Sequence, residues 1–209
     1  AQAYSQIEAV FDLDKSAADR RAVEANARAV TDLDELLGAD IDVVIIGTPT
    51  TSHPDLVLRA AAAGKHILCE KPMALTLTDC QSMIDACAAT GVKLAIGHTI
   101  RFFGTFRTVR RLIAEGVIGM PVSGSFDRTS AAKPRRAGDE ARWSGHWRDD
   151  PRNSGGSVLE GFIHELDCTR SVFGTVAGVS ADIAGNQEYD GYLSPQIVQG
   201  LVRFESGAL

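Results

Sequence analysis

Asp42-Val43-Val44-Ile45-Ile46-Gly47-Thr48-Pro49 is the stretch that decides the fold. An unbroken β-branched run without polar alternation is expected of a strand covered on both faces in a parallel sheet. Downstream, Ser52-His53-Pro54-Asp55 resembles a capping box with proline in the first turn, so a helix is expected from Ser52 to Gly64. The next short apolar run, His66 to Cys69, is followed by a second helix start at Thr78-Asp79-Cys80-Gln81. Met83, Ile84 and Cys87 make the apolar stripe of that helix, and Gly91 is its stop. Apolar runs at Ile7 to Phe11 and Val92 to Gly97 bracket this pattern. Strand, helix, strand, helix at a spacing of about 25 residues is the signature of right-handed βαβ units. The first half is therefore expected to be an α/β, Rossmann-type, doubly wound parallel sheet.

After Gly97 the rhythm changes. A helix with arginines on one side is expected over Thr105 to Glu115, then a strand over Val122 to Arg128, a long polar loop over 129–153 and a helix over Ser157 to Phe173. Two strands follow, Val176 to Ala184 and Gln196 to Phe204, with Val198, Gly200, Val202 and Phe204 on one buried face. This half is expected to be an α+β domain with a mostly antiparallel open sheet, giving a dinucleotide-binding domain over 1–101 and a substrate domain over 102–209.

A chain of 209 residues, 44% hydrophobic and 23% charged, is globular rather than disordered or fibrous. A net charge of -6 argues against a nucleic-acid or anionic-membrane surface, and the densest basic stretch, Lys133 to Arg152, sets six cations against four acids. No apolar run approaches the roughly 20 residues of a membrane helix, and residues 1–15 lack a signal-peptide pattern, so a cytoplasmic location is expected. Cys69, Cys80, Cys87 and Cys168 show no zinc spacing and are expected to be buried free thiols. The chain opens on Ala1 and stops after a strand, so it is expected to be a piece of a longer protein.

Ligands of an open α/β sheet sit at the carboxyl ends of its strands. Asp12, Thr48-Pro49, Glu70-Lys71-Pro72 and the stretch from His98 to Arg101 all fall there. An acid at the first position can accept both ribose hydroxyls of an adenosine and would repel a 2′-phosphate, favouring NAD over NADP; it reads equally well as a solvated helix cap. Lys71 beside Glu70 is either an acid/base or oxygen-holding cation in a closed site, or a surface ion pair at a turn. Glu160, His164 and Asp167 at i, i+4 and i+7 share one helix face, where a carboxylate can orient the imidazole. A solvent-facing polar stripe has the same spacing, and the pattern is not a zinc motif, so no metal is expected. Arg101 and the Trp147-Arg148 pair suit a sugar's hydroxyls and its apolar ring face, or simple packing.

Taken together, Asp42 to Pro49, His53, Gly64 to Pro72, Gly97-His98 with Arg101-Phe102, Glu115 to Gly119, and Gly155-Gly156 through His164 and Asp167 resemble the Gfo/Idh/MocA oxidoreductases in order and spacing over almost the whole chain. The resemblance implies a nicotinamide-dependent dehydrogenase of a sugar, inositol or similar polyol. It makes Lys71 and His164 the acid/base pair and Glu160 the accompanying catalytic carboxylate, with Glu160 and His164 on the substrate beside Arg101 and Trp147, which residue chemistry alone offers as sugar contacts. Asp12, Thr48, Pro49, His53, Glu70 and Lys71 match positions that line the cofactor, partly through backbone. Glu160 stands where the family usually has Asp, and Phe162 where Gly is common. The family's Gly-rich pyrophosphate turn is absent from the sequence, which reads as a nucleotide fold without its first βα unit. A homo-oligomer, dimer or tetramer, formed through the open sheet is also implied. Two other readings remain: a glycoside hydrolase that oxidises transiently while NAD stays bound, and a regulator that binds cofactor and sugar without turnover.

Overall fold

The computed structural model describes residues 5–128, 147–156, 158–185, 187–189, 192–194 and 197–209. They form two compact units. The first holds Ala1–Gly47, Pro54–Cys69 and Thr78–Ala95, and the second Thr48–His53, Glu70–Leu77 and Ile96–Leu209. The turns that follow β3 and β4 thus belong to the second unit.

The first unit alternates strand and helix: β1 (Ala9–Phe11), α1 (Lys15–Ala25), β2 (Arg28–Val30), α2 (Leu33–Gly38), β3 (Val43–Ile46), α3 (His53–Ala62), β4 (His66–Cys69), α4 (Leu77–Thr90) and β5 (Leu94–Ile96). β1 runs parallel to β2, and β3 parallel to β4 in a sheet ordered β3-β4-β5. This is the expected α/β winding, with β2 and α2 as elements too short for periodicity to reveal. Asp14 caps α1 by accepting from Ser16 N, and Asp32 caps α2 through Asp34 N. Lys65 Nζ donates to the carbonyls of Ala39 and Ile41, at 2.9 and 3.0 Å, and so ties the entry of β3 to the loop before β4.

One expectation about β3 fails. Val44, Ile46, Ile67 and Cys69 are buried, but their neighbours Val43, Ile45 and Leu68 are exposed. Right-handed crossovers that advance in one direction, β3 to β4 to β5, put α3 and α4 on the same side of the sheet. The apolar residues of those helices, Val57, Ala60, Ala61, Met83 and Cys87, are buried, and among the described residues the opposite face is left open. Of the thiols, Cys69, Cys87 and Cys168 are buried as expected, and Cys80 is only partly so. Ser52 is not the first residue of α3. It closes a 3-10 turn, Thr50–Ser52, and its hydroxyl donates back to Pro49 O at 2.7 Å.

The second unit contains α5 (Gly104–Ala114), a 3-10 turn at Trp147–Asp149, α6 (Pro151–Ser154), a π-helical turn at Val158–Phe162 and α7 (Ile163–Phe173). Four strands follow: β6 (Val176–Ala184), β7 (Gln187–Tyr189), β8 (Tyr192–Ser194) and β9 (Ile197–Phe204). β6 pairs antiparallel with β9, with a register shift between Val176 and Gly178, and β7 pairs antiparallel with β8. The expected antiparallel sheet is present. The strand expected over Val122 to Arg128 is not formed: among the described residues its backbone meets only Leu209, through Leu209 N to Val122 O and Gly124 N to Leu209 O, too little to propagate a ladder. Residues 129–146 of the expected loop lie outside the described residues.

The core of this unit is a stack of Phe173 on Phe204, centroids 5.1 Å apart, closed by Ala208 and flanked by Phe126, Val172, Val176 and Val202. The expected buried face of β9 is therefore real only at its end: Val202 and Phe204 meet α7, whereas Val198 is exposed. Replacing Phe204 with alanine is expected to cost about 3–5 kcal/mol, and replacing Val198, on the same face of the same strand, about 0.5 kcal/mol. Urea denaturation of the two variants checks this, and equal costs would refute the placement of the core.

Candidate functional site

Each functional side chain of the second unit is set by a turn. β4 ends at Cys69, and the chain then passes through Glu70 into a cis peptide between Lys71 and Pro72. Glu70 folds back so that Oε2 accepts from Lys71 N at 3.2 Å. A Cβ on Gly97 would stand 3.2 Å from that same oxygen and 3.4 Å from Glu70 Cα, so the absence of a side chain at Gly97 lets the two segments approach. Beneath this turn lies His53, fully buried. Its Nε2 faces Thr48 O at 3.0 Å and its Nδ1 faces Pro72 O at 3.0 Å and Met73 O at 3.3 Å. His53 thus joins the turn after β3 to the turn that carries Lys71, and its ring is committed to backbone rather than presented to a ligand.

Lys71 Nζ donates to the backbone carbonyl of Glu160 at 2.7 Å and to its carboxylate Oε1 at 2.8 Å. Both side chains are largely enclosed, 14% and 16% exposed. An ammonium has three donors, so one remains for another oxygen. Glu160 Oε1 also accepts from Arg148 Nε at 2.9 Å, while Oε2 is buried with no hydrogen-bond partner among the described residues. Arg148 in turn lies over the Trp147 ring, 4.4 Å from its centroid. Glu160 sits in the π-helical turn, reached through Gly155, where φ is +78° and a Cβ would come within 2.4 Å of Leu159. Only glycine fits there.

The π turn separates what helical spacing put on one face. Glu160 goes to Lys71 and Arg148, Asp167 is gripped by two nitrogens of Arg101, with Nη2 to Oδ1 at 2.6 Å, and Glu165 is held by Arg128 at 2.6 Å. Neither Glu160 nor Asp167 bonds to His164, which corrects the expectation that a neighbouring carboxylate orients that ring. The Nδ1 of His164 is buried without a partner among the described residues. Burial, reinforced by the charges of Lys71 and Arg128, lowers the pKa of His164 below the usual imidazole value, against a smaller opposing effect of Glu165. A neutral imidazole beside a cation holding an oxygen is suited to accept a proton from a hydroxyl.

His98 falls among the strand-end positions in the sequence, where nothing assigns it a role. It stands at the end of β5, the same strand-end position that singled out Thr48 and Lys71, and its ring meets His164 edge to face with centroids 6.3 Å apart. The bond of Arg148 to Glu160 has no sequence signal, because nothing in local spacing places it on a carboxylate twelve residues away. In the first unit, Asp12 closes β1, is exposed, and accepts from Asp14 N at 2.9 Å; the cap of α1 is Asp14 rather than Asp12. Thr48 and Pro49 are partly buried, with the hydroxyls of Thr48 and Ser52 hydrogen-bonded at 2.7 Å. Among the described residues no three His, Cys, Asp or Glu side chains are grouped so as to hold a metal ion, and no helix is long and apolar enough to cross a membrane.

Comparison with known proteins agrees with this arrangement. A family model described as an oxidoreductase family with an NAD-binding Rossmann fold matches residues 1–98, and its companion, the C-terminal alpha/beta domain of the same family, matches residues 110–209. The 2,7-anhydro-N-acetylneuraminate hydratase of Escherichia coli strain K12 is 32% identical over 90% of this chain and 48% of its own length. The 1,5-anhydro-D-fructose reductase of Ensifer adhaerens is 32% identical over 96% of this chain and 60% of its own. Among solved structures, an NAD binding oxidoreductase from Klebsiella pneumoniae superposes with a TM-score of 0.82 at 29% identity, covering 97% of this chain and 56% of that one. The chain spans about half the length of the curated relatives it matches. With both halves matched in order by the two models of one family, the chain belongs to the Gfo/Idh/MocA oxidoreductase family.

Proposed function

We propose that the protein to which this chain belongs is an NAD-dependent oxidoreductase that transfers a hydride between the nicotinamide and a hydroxyl-bearing carbon of a sugar, inositol or similar polyol. The observation that carries this reading is the enclosed Lys71–Glu160 pair with a neutral histidine on the same helical segment as Glu160. The cofactor supplies the hydride acceptor when bound. The turns after β3 and β4, with Thr48-Pro49 and Glu70-Lys71, offer the strand-end groups that such a dinucleotide needs, and Asp12 at the end of β1 is the residue for its ribose hydroxyls. That carboxylate would repel a 2′-phosphate, so NAD is favoured over NADP.

Within the site, Lys71 directs its remaining N–H at the substrate oxygen and stabilises the negative charge that develops as the proton leaves. His164 takes that proton. Glu160 fixes the direction of Lys71, and its unpaired Oε2 accepts from a second hydroxyl of the substrate. Arg101 acts at one remove, holding Asp167, and Trp147 with Arg148 forms the stacked wall against which a ring can lie. A polyol fits this set better than an apolar alcohol, because it satisfies both the ammonium donor and the orphaned carboxylate oxygen.

A redox-neutral variant of the same chemistry is the second reading. The hydratase name carried by one relative at 32% identity favours it, since a reaction with no net oxidation can still begin with removal of a hydride. Incubating the full-length protein with NAD and a panel of inositols, aldoses and anhydro sugars separates the two: the dehydrogenase accumulates NADH, and the redox-neutral enzyme consumes substrate without it. Failure to convert any member of the panel with either nicotinamide cofactor would favour a regulator instead.

Replacement of His164 by Asn is expected to lower kcat about 10²–10⁴-fold with little change in KM for NAD, and Lys71→Met to lower it at least as far. A variant within tenfold of wild type would remove that residue from the proton transfer. The pH dependence has a definite sign. Because the His164 pKa is lowered, kcat/KM for oxidation rises with pH and its midpoint falls below that of an ordinary imidazole; a midpoint above the ordinary value would contradict the assignment. The same lowering means that the unfolded chain binds more protons as pH drops through the imidazole range. Stability contributed by this histidine is therefore full at neutral pH and is lost on acidification, which thermal denaturation of wild type and His164→Asn across that range will register.

A further inference from the structure

Each hydride removed from a hydroxyl-bearing carbon leaves one proton to be held and passed on, and among the described residues no carboxylate is bonded to His164. The neighbouring imidazole of His98 stands at 88° to it with centroids 6.3 Å apart. Two hydrogen bonds through one water span about 5.5–6 Å between nitrogens, a separation that rings at this centroid distance can present. In both, Nδ1 is buried and unpartnered among the described residues. The Nδ1 of His98 faces Asp167 Oδ2 at 4.0 Å, just beyond hydrogen-bonding reach, and Arg101 fixes that carboxylate in place.

We propose that His98 and His164 form a coupled pair that carries a single proton between them, with Asp167 as its counter-charge. The source of that proton, the substrate hydroxyl, rests on the dehydrogenase reading above; the coupling of the rings does not. On oxidation the substrate O–H bond breaks and its proton becomes an N–H on His164, while the hydride on the adjacent carbon goes to the nicotinamide dinucleotide. The proton then passes through water to His98, where Asp167 stabilises the imidazolium, and from there to solvent. A second proton is resisted by the cations around the pair. Arg101 and Lys71 face His98 alongside Asp167 and Glu70, and Lys71 and Arg128 face His164 alongside Glu165. Burial lowers the pKa of both rings, so the pair is uncharged before it receives the proton.

The test is an NMR titration of the imidazole resonances in the full-length protein without substrate. The two rings are expected to share a two-step curve, each responding to the other's protonation. In His98→Asn, His164 is expected to titrate in a single step shifted upward, toward the ordinary imidazole value, and the acid limb of the rate profile is expected to move the same way. His98→Gln serves if the Asn variant fails to fold, and the wild-type curve is informative without either. Independent single-step titrations in wild type, or a His164 curve unmoved by loss of His98, would overturn the pair. Coupling present with no polyol turned over would retain the pair and refute the dehydrogenase; turnover without coupling would do the reverse.

Discussion

The ion pair between Lys71 and Glu160 is the contact on which the rest of the site depends. It joins residues 89 positions apart, one on the turn after a parallel strand and one on a π-helical turn. Enclosing two opposite charges contributes little net stability, since desolvation offsets most of their attraction, but leaving either alone would be costly. The pair therefore works as a constraint. Wherever Lys71 is placed, Glu160 must meet it, and both backbone turns are shaped to allow that. Gly97 makes room for Glu70, His53 fastens the Lys71 turn from below, and Gly155 bends the chain into the π turn. Each of these residues lacks an obvious chemical task, yet each fixes an atom that has one.

Around this pair the charges are arranged in alternation. Glu160 is shared between Lys71 and Arg148, Asp167 belongs to Arg101, and Glu165 to Arg128. With Glu160, Asp167 and Glu165 each held by an arginine or lysine, the two histidines lack a carboxylate hydrogen bond among the described residues, and burial lowers the pKa of both. A site of this kind offers bases without charge beside a cation with a free donor, the combination that removal of a hydroxyl proton asks for.

The local signals were legible wherever a short-range rule governs them. The β-branched run at Val43 to Ile46, the glycine stops at Gly64 and Gly91, and the strand-end positions of Lys71 and Thr48 follow from steric preference and βαβ connectivity. The strand expected at Val122 to Arg128 and the fully buried face of β9 were misjudged for a common reason: alternation shows what could pair or be covered, whereas the partner that pairs or covers it lies far along the chain. Helical spacing likewise put Glu160, His164 and Asp167 on one face. The π turn, invisible in any periodicity, sent their side chains to three different surroundings.

The sequence by itself determined the winding of the first half, the antiparallel character of the second, and the choice of Lys71, Glu160 and His164 as candidates for the chemistry. These rest on backbone preference and on motif order, both local properties. Tertiary structure decided which groups meet: that Glu160 pairs with Lys71 rather than with His164, that His53 is a buried fastening between turns, and that His98 stands beside His164. Those outcomes depend on competition among several cations for a few carboxylates in a confined volume. That competition is settled by distance in three dimensions, for which position along the chain carries no information.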